Sequence, residues 1–301
     1  MTAQVVRTAH ELSSRALDWL FAHHELGAFP SDPTADLPDA DKVYKPLGEV
    51  ALAASMVLRE GVAGRTRLAV ARELLEFAWR QMYEGNLLYE RQLRHSLITD
   101  PLETYAHFSR SGYRHEALDE LLTHNAAVNT TTEMVPNRRM AVANARRVVG
   151  VGPDADWSAL LRATWLGGTP PPWAIDWMTA YHATHTVFHH TDWGARPELL
   201  PADVAEYLAT WLPVWIEVWA EVRQWDLVGE LLIVGLCLPE PHCDPREWER
   251  LATEQHADGL VPRDGDPVPE DRARRFDDNQ HTAVVAVIAG TLAVSRLLDR
   301  A

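Results

Sequence analysis

From Val5 to Leu26 the apolar positions recur every three to four residues, so Ala9, Leu12, Ala16 and Leu20 lie near one stripe with His24. The same helical period returns over Leu47–Arg59, Arg65–Glu84, Pro101–Ser111, Glu116–His124, Arg138–Val149, Trp157–Trp165 and Trp173–Thr191. It continues over Pro201–Arg223, Asp226–Leu238, Pro245–His256 and Gln280–Asp299. Several starts carry helix-entry chemistry: Pro101 follows Asp100, Pro245 follows Asp244, and Pro201 precedes Ala202-Asp203. Strand alternation and Asn-Gly hairpin turns are missing. The pattern therefore predicts about twelve helices in a single all-α domain over residues 1–301.

The helix stops repeat. Gly27-Ala28-Phe29-Pro30, Gly194-Ala195-Arg196-Pro197 and Gly259-Leu260-Val261-Pro262 each pair a glycine suited to a left-handed cap with a proline that prevents restart. Gly85-Asn86-Leu87-Leu88 and Glu133-Met134-Val135-Pro136 are partial copies. Successive stops lie 48 to 65 residues apart, room for two helices each. Paired helices bury their faces against neighbours, so twelve helices in six hairpins predict an α/α toroid. An irregular helical bundle is the alternative.

Charge narrows the function. With 28 basic against 43 acidic residues the net charge is −15, the opposite of the basic face that nucleic acid requires. Two cysteines are too few for a disulfide framework or a four-cysteine zinc module. No apolar run reaches membrane-spanning length and the N-terminus has no apolar signal core, so a cytoplasmic protein binding neither membrane nor nucleic acid is expected. Phosphate-binding glycine loops, dinucleotide fingerprints, serine-hydrolase elbows and His-Glu-x-x-His are all missing. The chain has 14 histidines and 12 tryptophans, the latter concentrated between Trp157 and Trp248, as an aromatic-walled core or cavity would need.

The densest chemistry runs from Tyr181 to Asp192. His182, His185 and His189 share one helix face with Asp192 near it. His185 and His189 can chelate one metal; His182 and His189, about 10 Å apart along the axis, cannot join in together. A third ligand must come from elsewhere, with His281 first, then Glu230 or Asp226. Such a set suits Fe, Zn or Mn, with Asp192 orienting a histidine from behind. Without metal, the same imidazoles line a polar cavity in which His185 is a base and Glu230 an acid. Asp226 and Glu230 stand one turn apart in apolar surroundings, where each would raise the other's pKa; alternatively Asp226 caps its helix. Asp278 or Asn279 reads as the cap of the last helix, placing His281 in its first turn, where the helix dipole favours a neutral ring. Residues 263–275 read as a loop able to cover a site.

Weaker candidates surround these. Glu49 begins an apolar helix and can point inward, Glu103 and His107 form a helix pair, and Arg138-Arg139 with Arg146-Arg147 can grip an acidic group. Cys237, His242 and Cys243 loosely resemble the Cys/Cys/His zinc set of lanthionine cyclases, also α/α toroids, whose signatures are missing here.

Gln81-Met82-Tyr83-Glu84-Gly85-Asn86-Leu87 and Gln255-His256-Ala257-Asp258-Gly259-Leu260-Val261 resemble the Gln-x-x-x-Gly-x-Trp motif of α/α-toroid terpene cyclases, with an aliphatic residue replacing the tryptophan. The cyclase acid motif Asp-x-Asp-Asp is absent, and Asp277-Asp278-Asn279-Gln280 is not an Asp-Asp-x-x-Asp box, so the resemblance implies architecture without terpene chemistry. Thr184-His185, Thr191-Asp192-Trp193-Gly194 and His281-Thr282 are similar to the pattern of uncharacterised helical proteins of actinobacterial natural-product clusters. Together these features predict a small-molecule biosynthetic enzyme whose central cavity is lined by Tyr181, His182, His185, His189, Asp192, Asp226, Glu230 and His281. The readings are a divalent-metal enzyme, with His185, His189 and His281 as ligands, or a metal-free cyclase, lyase or isomerase. A non-catalytic helical-repeat scaffold is the third.

Overall fold

The computed structural model describes residues 2–30, 33–36, 40–129 and 132–298. Among them are thirteen α-helices and no strand. They are α1 (Thr2–His23), α2 (Ala40–Glu60), α3 (Gly64–Gln81), α4 (Asn86–Arg94), α5 (Asp100–Arg110), α6 (Glu116–Asn129) and α7 (Pro136–Val149). After these come α8 (Trp157–Arg162), α9 (Trp177–His190), α10 (Ala202–Glu221), α11 (Trp225–Cys237), α12 (Pro245–Glu254) and α13 (Arg272–Leu298). The all-α reading is thus correct. Buried apolar side chains form one cluster from Val5 to Leu297.

Capping chemistry fixes several starts. Asp176 accepts from Thr179 N at 2.7 Å, Asp156 from Ala159 N at 2.9 Å and Asp244 from Arg246 N at 2.9 Å. The Asp176 cap explains why α9 begins at Trp177 and not at Trp173. Three other differences from the sequence pattern are informative. Helix α2 runs through Pro46 from Ala40. Helix α4 escapes notice because two of its four buried positions are Arg91 and Gln92. Helix α13 begins at Arg272, so residues 272–275 of the expected loop are helical; its expected end at Asp299 lies outside the described residues.

At 27 residues, α13 is long and apolar enough to cross a membrane, which the sequence pattern, broken at Gln280, did not suggest. Most of it is buried against α1, α2 and α11. Gly290 permits the closest approach: a Cβ there would stand 2.3 Å from Ala9 O of α1.

The glutamine–glycine turns tie helix ends together. Gln81 Oε1 accepts from Phe29 N at 2.9 Å, and Gln255 Nε2 donates to Leu12 O at 3.1 Å and Gly259 O at 2.9 Å. Gly259 is left-handed (φ +101°), and a Cβ there would meet Arg15 O at 2.3 Å. The expectation fails at Gly27, which has no positive φ and ends a 3₁₀ turn, His24–Gly27.

Helix α2 packs on α13 and α5, α5 on α7, α7 on α9, α9 on α11 and α11 on α13. The C-terminal ends of these helices meet. Arg59 of α2 donates to Asp192 O and Trp193 O, just past α9, at 2.9 and 2.8 Å. Arg110 of α5 grips the Asp192 carboxylate at 3.0 and 2.6 Å, and Arg147 of α7 donates to His189 O at 3.1 Å. Arg296 of α13 donates to Leu238 O beyond α11 at 3.0 Å, and Ser295 to Glu60 at 2.6 Å. At the opposite ends, early turns of the same helices open on a cleft.

Candidate functional site

Helix α11 is buried on every side, as its apolar sequence requires. Its two acids stand one turn apart toward the cleft: Asp226 is 3% exposed and Glu230 1%. Helix α9 supplies Tyr181, Thr184 and His185, α13 supplies His281 and Thr282, and α2 supplies Glu49. Asp226 accepts from Tyr181 OH at 2.7 Å and from Thr282 Oγ1 at 2.9 Å. Glu230 accepts from Thr184 Oγ1 with one oxygen and turns the other to His185 Nε2 at 3.4 Å and His281 Nε2 at 3.5 Å. His281 Nε2 also lies 3.6 Å from Asp226 Oδ2. Its far nitrogen, Nδ1, pairs with Glu49 Oε1 at 2.8 Å, and Lys45 Nζ stands 3.6 Å from that same oxygen.

Asp226 is therefore not a helix cap. Its carboxylate bonds to α9 and α13, while its own N–H donates to Arg263 O at 3.0 Å. His281 is not in a first turn either: it is the tenth residue of α13, both expected caps, Asp278 and Asn279, lie inside that helix, and Asn279 is buried and accepts from Arg263 N at 3.0 Å. The dipole argument for a neutral ring therefore fails. Burial presses the His281 pKa down, but the charges of Asp226 and Glu49 and the bonds to Glu230 and Glu49 lift it well above 6.5. Burial likewise pushes the Glu49 carboxyl up, and His281 and Lys45 outweigh it and hold Glu49 below the usual range. Glu230 behaves in the same way under His185 and His281. Asp226 goes the other way, because burial and neighbouring Glu230 raise it. The expected mutual elevation of the two acids resolves into one raised and one lowered.

Among the described residues, Asp226, Glu230 and His281 form a set whose donor atoms all lie within 4.8 Å of one another. The separations of 3.5 and 3.6 Å match the edge, roughly 3.4 Å, of a tetrahedron with ligand bonds of about 2.1 Å. Glu49 behind His281, and the three hydroxyls on the acids, are the supporting bonds that fix ligand orientation in metal centres.

The centre opens on a cavity of about 470 Å³ walled also by Leu52, Phe188, Trp193, Ile233 and α13 side chains. An outer cleft of about 880 Å³ shares Lys45, Glu49, Arg138, Tyr181 and His185 with it.

A family model of a domain of unknown function, DUF6895, matches residues 13–291. The chain belongs to the DUF6895 family. The matched span reaches from α1 into α13 and includes every residue of the centre. No curated protein matches the chain, and no solved structure does.

The remaining predicted residues of this DUF6895 chain divide. Tyr181, His185 and His189 line the inner cavity, and His182 lines the outer cleft. The close set is not the expected three histidines: His281 converges with two acids, and the His185 and His189 ring centroids lie 6.1 Å apart. His189 makes no side-chain hydrogen bond among the described residues. Burial, His185 and Arg138 hold its pKa well below 6.5, so the ring is neutral. Asp192 does not orient a histidine. Arg110 donates to both of its carboxylate oxygens and Asn144 Nδ2 donates at 3.3 Å. Burial opposes ionisation, but Arg110, Arg59 and Arg147 bring its pKa to about 2. His107 lines the outer cleft, and burial and Arg110 take its pKa to about 3. His242 pairs with Glu247 at 2.8 Å, and burial pushes the Cys237 thiol up to about 11, so no Cys/Cys/His set forms.

Thr184 and Thr282 carry no acid–base signature of their own. Their one signal in the sequence was adjacency to His185 and His281.

Proposed function

We propose that this chain is a small-molecule enzyme whose reactive centre is a divalent metal held by Asp226, Glu230 and His281. The single observation carrying this reading is that two buried acids and an imidazole have donor atoms within 4.8 Å of one another beside a cavity of about 470 Å³. Two oxygens and one nitrogen suit Fe, Zn or Mn. Such an ion, when bound, polarises a substrate oxygen or lowers the pKa of a coordinated water. Tyr181, Thr282 and Thr184 fix the carboxylates, and Glu49 fixes the ring. His185, 40% exposed on its side chain, stands at the edge where substrate arrives. The fold reading goes with it. The packing order α13–α2–α5–α7–α9–α11 returns to α13, which supports an α/α toroid with the site at one end of its axis and the Asp192 cluster at the other. The small-molecule biosynthetic reaction expected of this cytoplasmic enzyme belongs in that cavity. Burial of the polar groups supports an enzyme over a scaffold, which would display them.

A second reading keeps the same residues without metal. It is favoured by the ion pairing of His281 with three carboxylates. Asp226, whose pKa is raised, is then the acid and neutral His189 the base.

Elemental analysis of untagged protein separates the two. Near-stoichiometric Fe, Zn or Mn that disappears in Asp226→Asn plus Glu230→Gln, with a retained helical circular-dichroism spectrum, supports the metal. Protein that stays metal-free after incubation with each ion overturns it. Metal uptake must displace the His281 proton, so it weakens as pH falls.

A further inference from the structure

On α2, α11 and α13 the polar residues that line the cavity come first and apolar ones follow, and on α9 the same order holds past Trp177 and Met178 as far as Phe188. On α2, Glu49 is followed by Leu52. On α9, His185 is followed by Phe188, with Trp193 just beyond. On α11, Glu230 precedes Ile233, and on α13, His281 precedes Val285 and Ile288. At 1.5 Å per residue these side chains lie roughly 5–10 Å below the centre. Each is less than a tenth exposed, yet all line the same cavity. Past them, Arg59 and Arg110 bind the Asp192 turn, so the chamber has a closed end.

The mouth, polar apart from the half-exposed Trp177 and Met178, contrasts with this floor, and its cations are already paired. Lys45 pairs with Glu49, and Arg138 with Glu103 at 2.6 Å. A multiply charged phosphate head would have to displace both. One polar side chain, His189, lies on the chamber wall among the apolar groups, which gives a ligand one place for a hydrogen-bonding atom.

Resting on the centre proposed above, we infer that the substrate is an amphiphile with a small neutral or singly charged polar head at Asp226, Glu230 and His281. Its apolar body fills the blind chamber beneath. The volume fits an ordinary small molecule, and an apolar body gains from leaving water while the dry walls lose little.

The test uses the full-length, metal-loaded protein and a series of straight-chain hydroxamates from acetohydroxamate to octanohydroxamate, with Kd read by isothermal titration calorimetry. Each added methylene is expected to tighten Kd about three- to fourfold until the chamber is full. Ile288→Trp is expected to remove that gain while leaving acetohydroxamate unchanged. A flat series with metal-dependent acetohydroxamate binding overturns this inference and leaves the metal standing. A length dependence that persists after chelation upholds the chamber and counts against the metal. The wild-type series decides even if Ile288→Trp fails to fold.

Discussion

Replacing His281 by glutamine removes the positive ring from among three acids. Glu49, Asp226 and Glu230 lie 2.8, 3.6 and 3.5 Å from its nitrogens and are 14%, 4% and 2% exposed. Breaking a buried charge pair from one side costs about 3–5 kcal/mol. The ring is 36% exposed through the cleft, so solvent screens part of that, leaving about 2–3 kcal/mol. A chain of 301 residues gains about 0.6 kcal/mol/K of entropy on unfolding, so Tm should fall by about 3–5 °C. The fall must depend on pH. His281, raised above 6.5, gives its full stabilisation below that pH and loses it as pH climbs through the raised value. Glu49 and Glu230, held below 4.5, stabilise above that pH and lose the contribution as pH falls. Asp226, raised, opposes folding above 3.8, and loss of His281 deepens that penalty. The gap between wild type and variant should therefore be widest between pH 4.5 and 6.5 and narrow on both sides. Differential scanning calorimetry of chelated protein at about pH 3.5, 5.5 and 9 measures it. A gap of the same size at all three, or none at about pH 5.5, refutes the assignment of His281 as the charged hub.

Arg110→Ala should lower the urea midpoint by the equivalent of about 2–3 kcal/mol at neutral pH, because Asp192 loses both bonds of its principal partner. That loss should fade as pH drops from 3.8 toward 2, where Asp192 takes up its proton; an unmoved midpoint at neutral pH counts against the clamp. Gly259→Ala should cost about 2 kcal/mol or more, since φ is +101° and the new methyl meets Arg15 O at 2.3 Å. Gly61→Ala, at φ +69° with nothing within 4 Å, should cost about 1 kcal/mol. Equal thermal shifts in the two variants would show that the Arg15 contact is immaterial.

The helices were legible where their apolar stripes are uninterrupted, as in α1, α10 and α11. Helix α4 was hidden because Arg91, buried, bonds Ala35 O and Asp100 at 2.9 and 2.6 Å and so takes a place a leucine would mark. Asp277-Asp278-Asn279 imitates a helix start. Its cap atom is instead used on Arg263, and Phe276 just before it is buried within the same helix. That misplacement inverted the expected charge of His281. The residues of the site were largely visible as types: Tyr181, His185, Glu230, Asp226 and His281 all border one cavity. Their pairing was not, because Glu49 meets His281 across 232 positions of sequence and no local pattern encodes that meeting. The histidine spacing on α9 drew attention to chelation within one helix, whereas the close set comes from α11 and α13.

The partnership of α1 with α13 governs how the protein must be made. The buried stripe of α1 is synthesised well before α13, which packs on it and carries His281. Until α13 has been made, the nascent chain carries an uncovered greasy stripe and three acids without their cation. Such long-range closure is slow and exposes the chain to aggregation. Early termination before α13 should therefore yield insoluble product instead of a weakened fold.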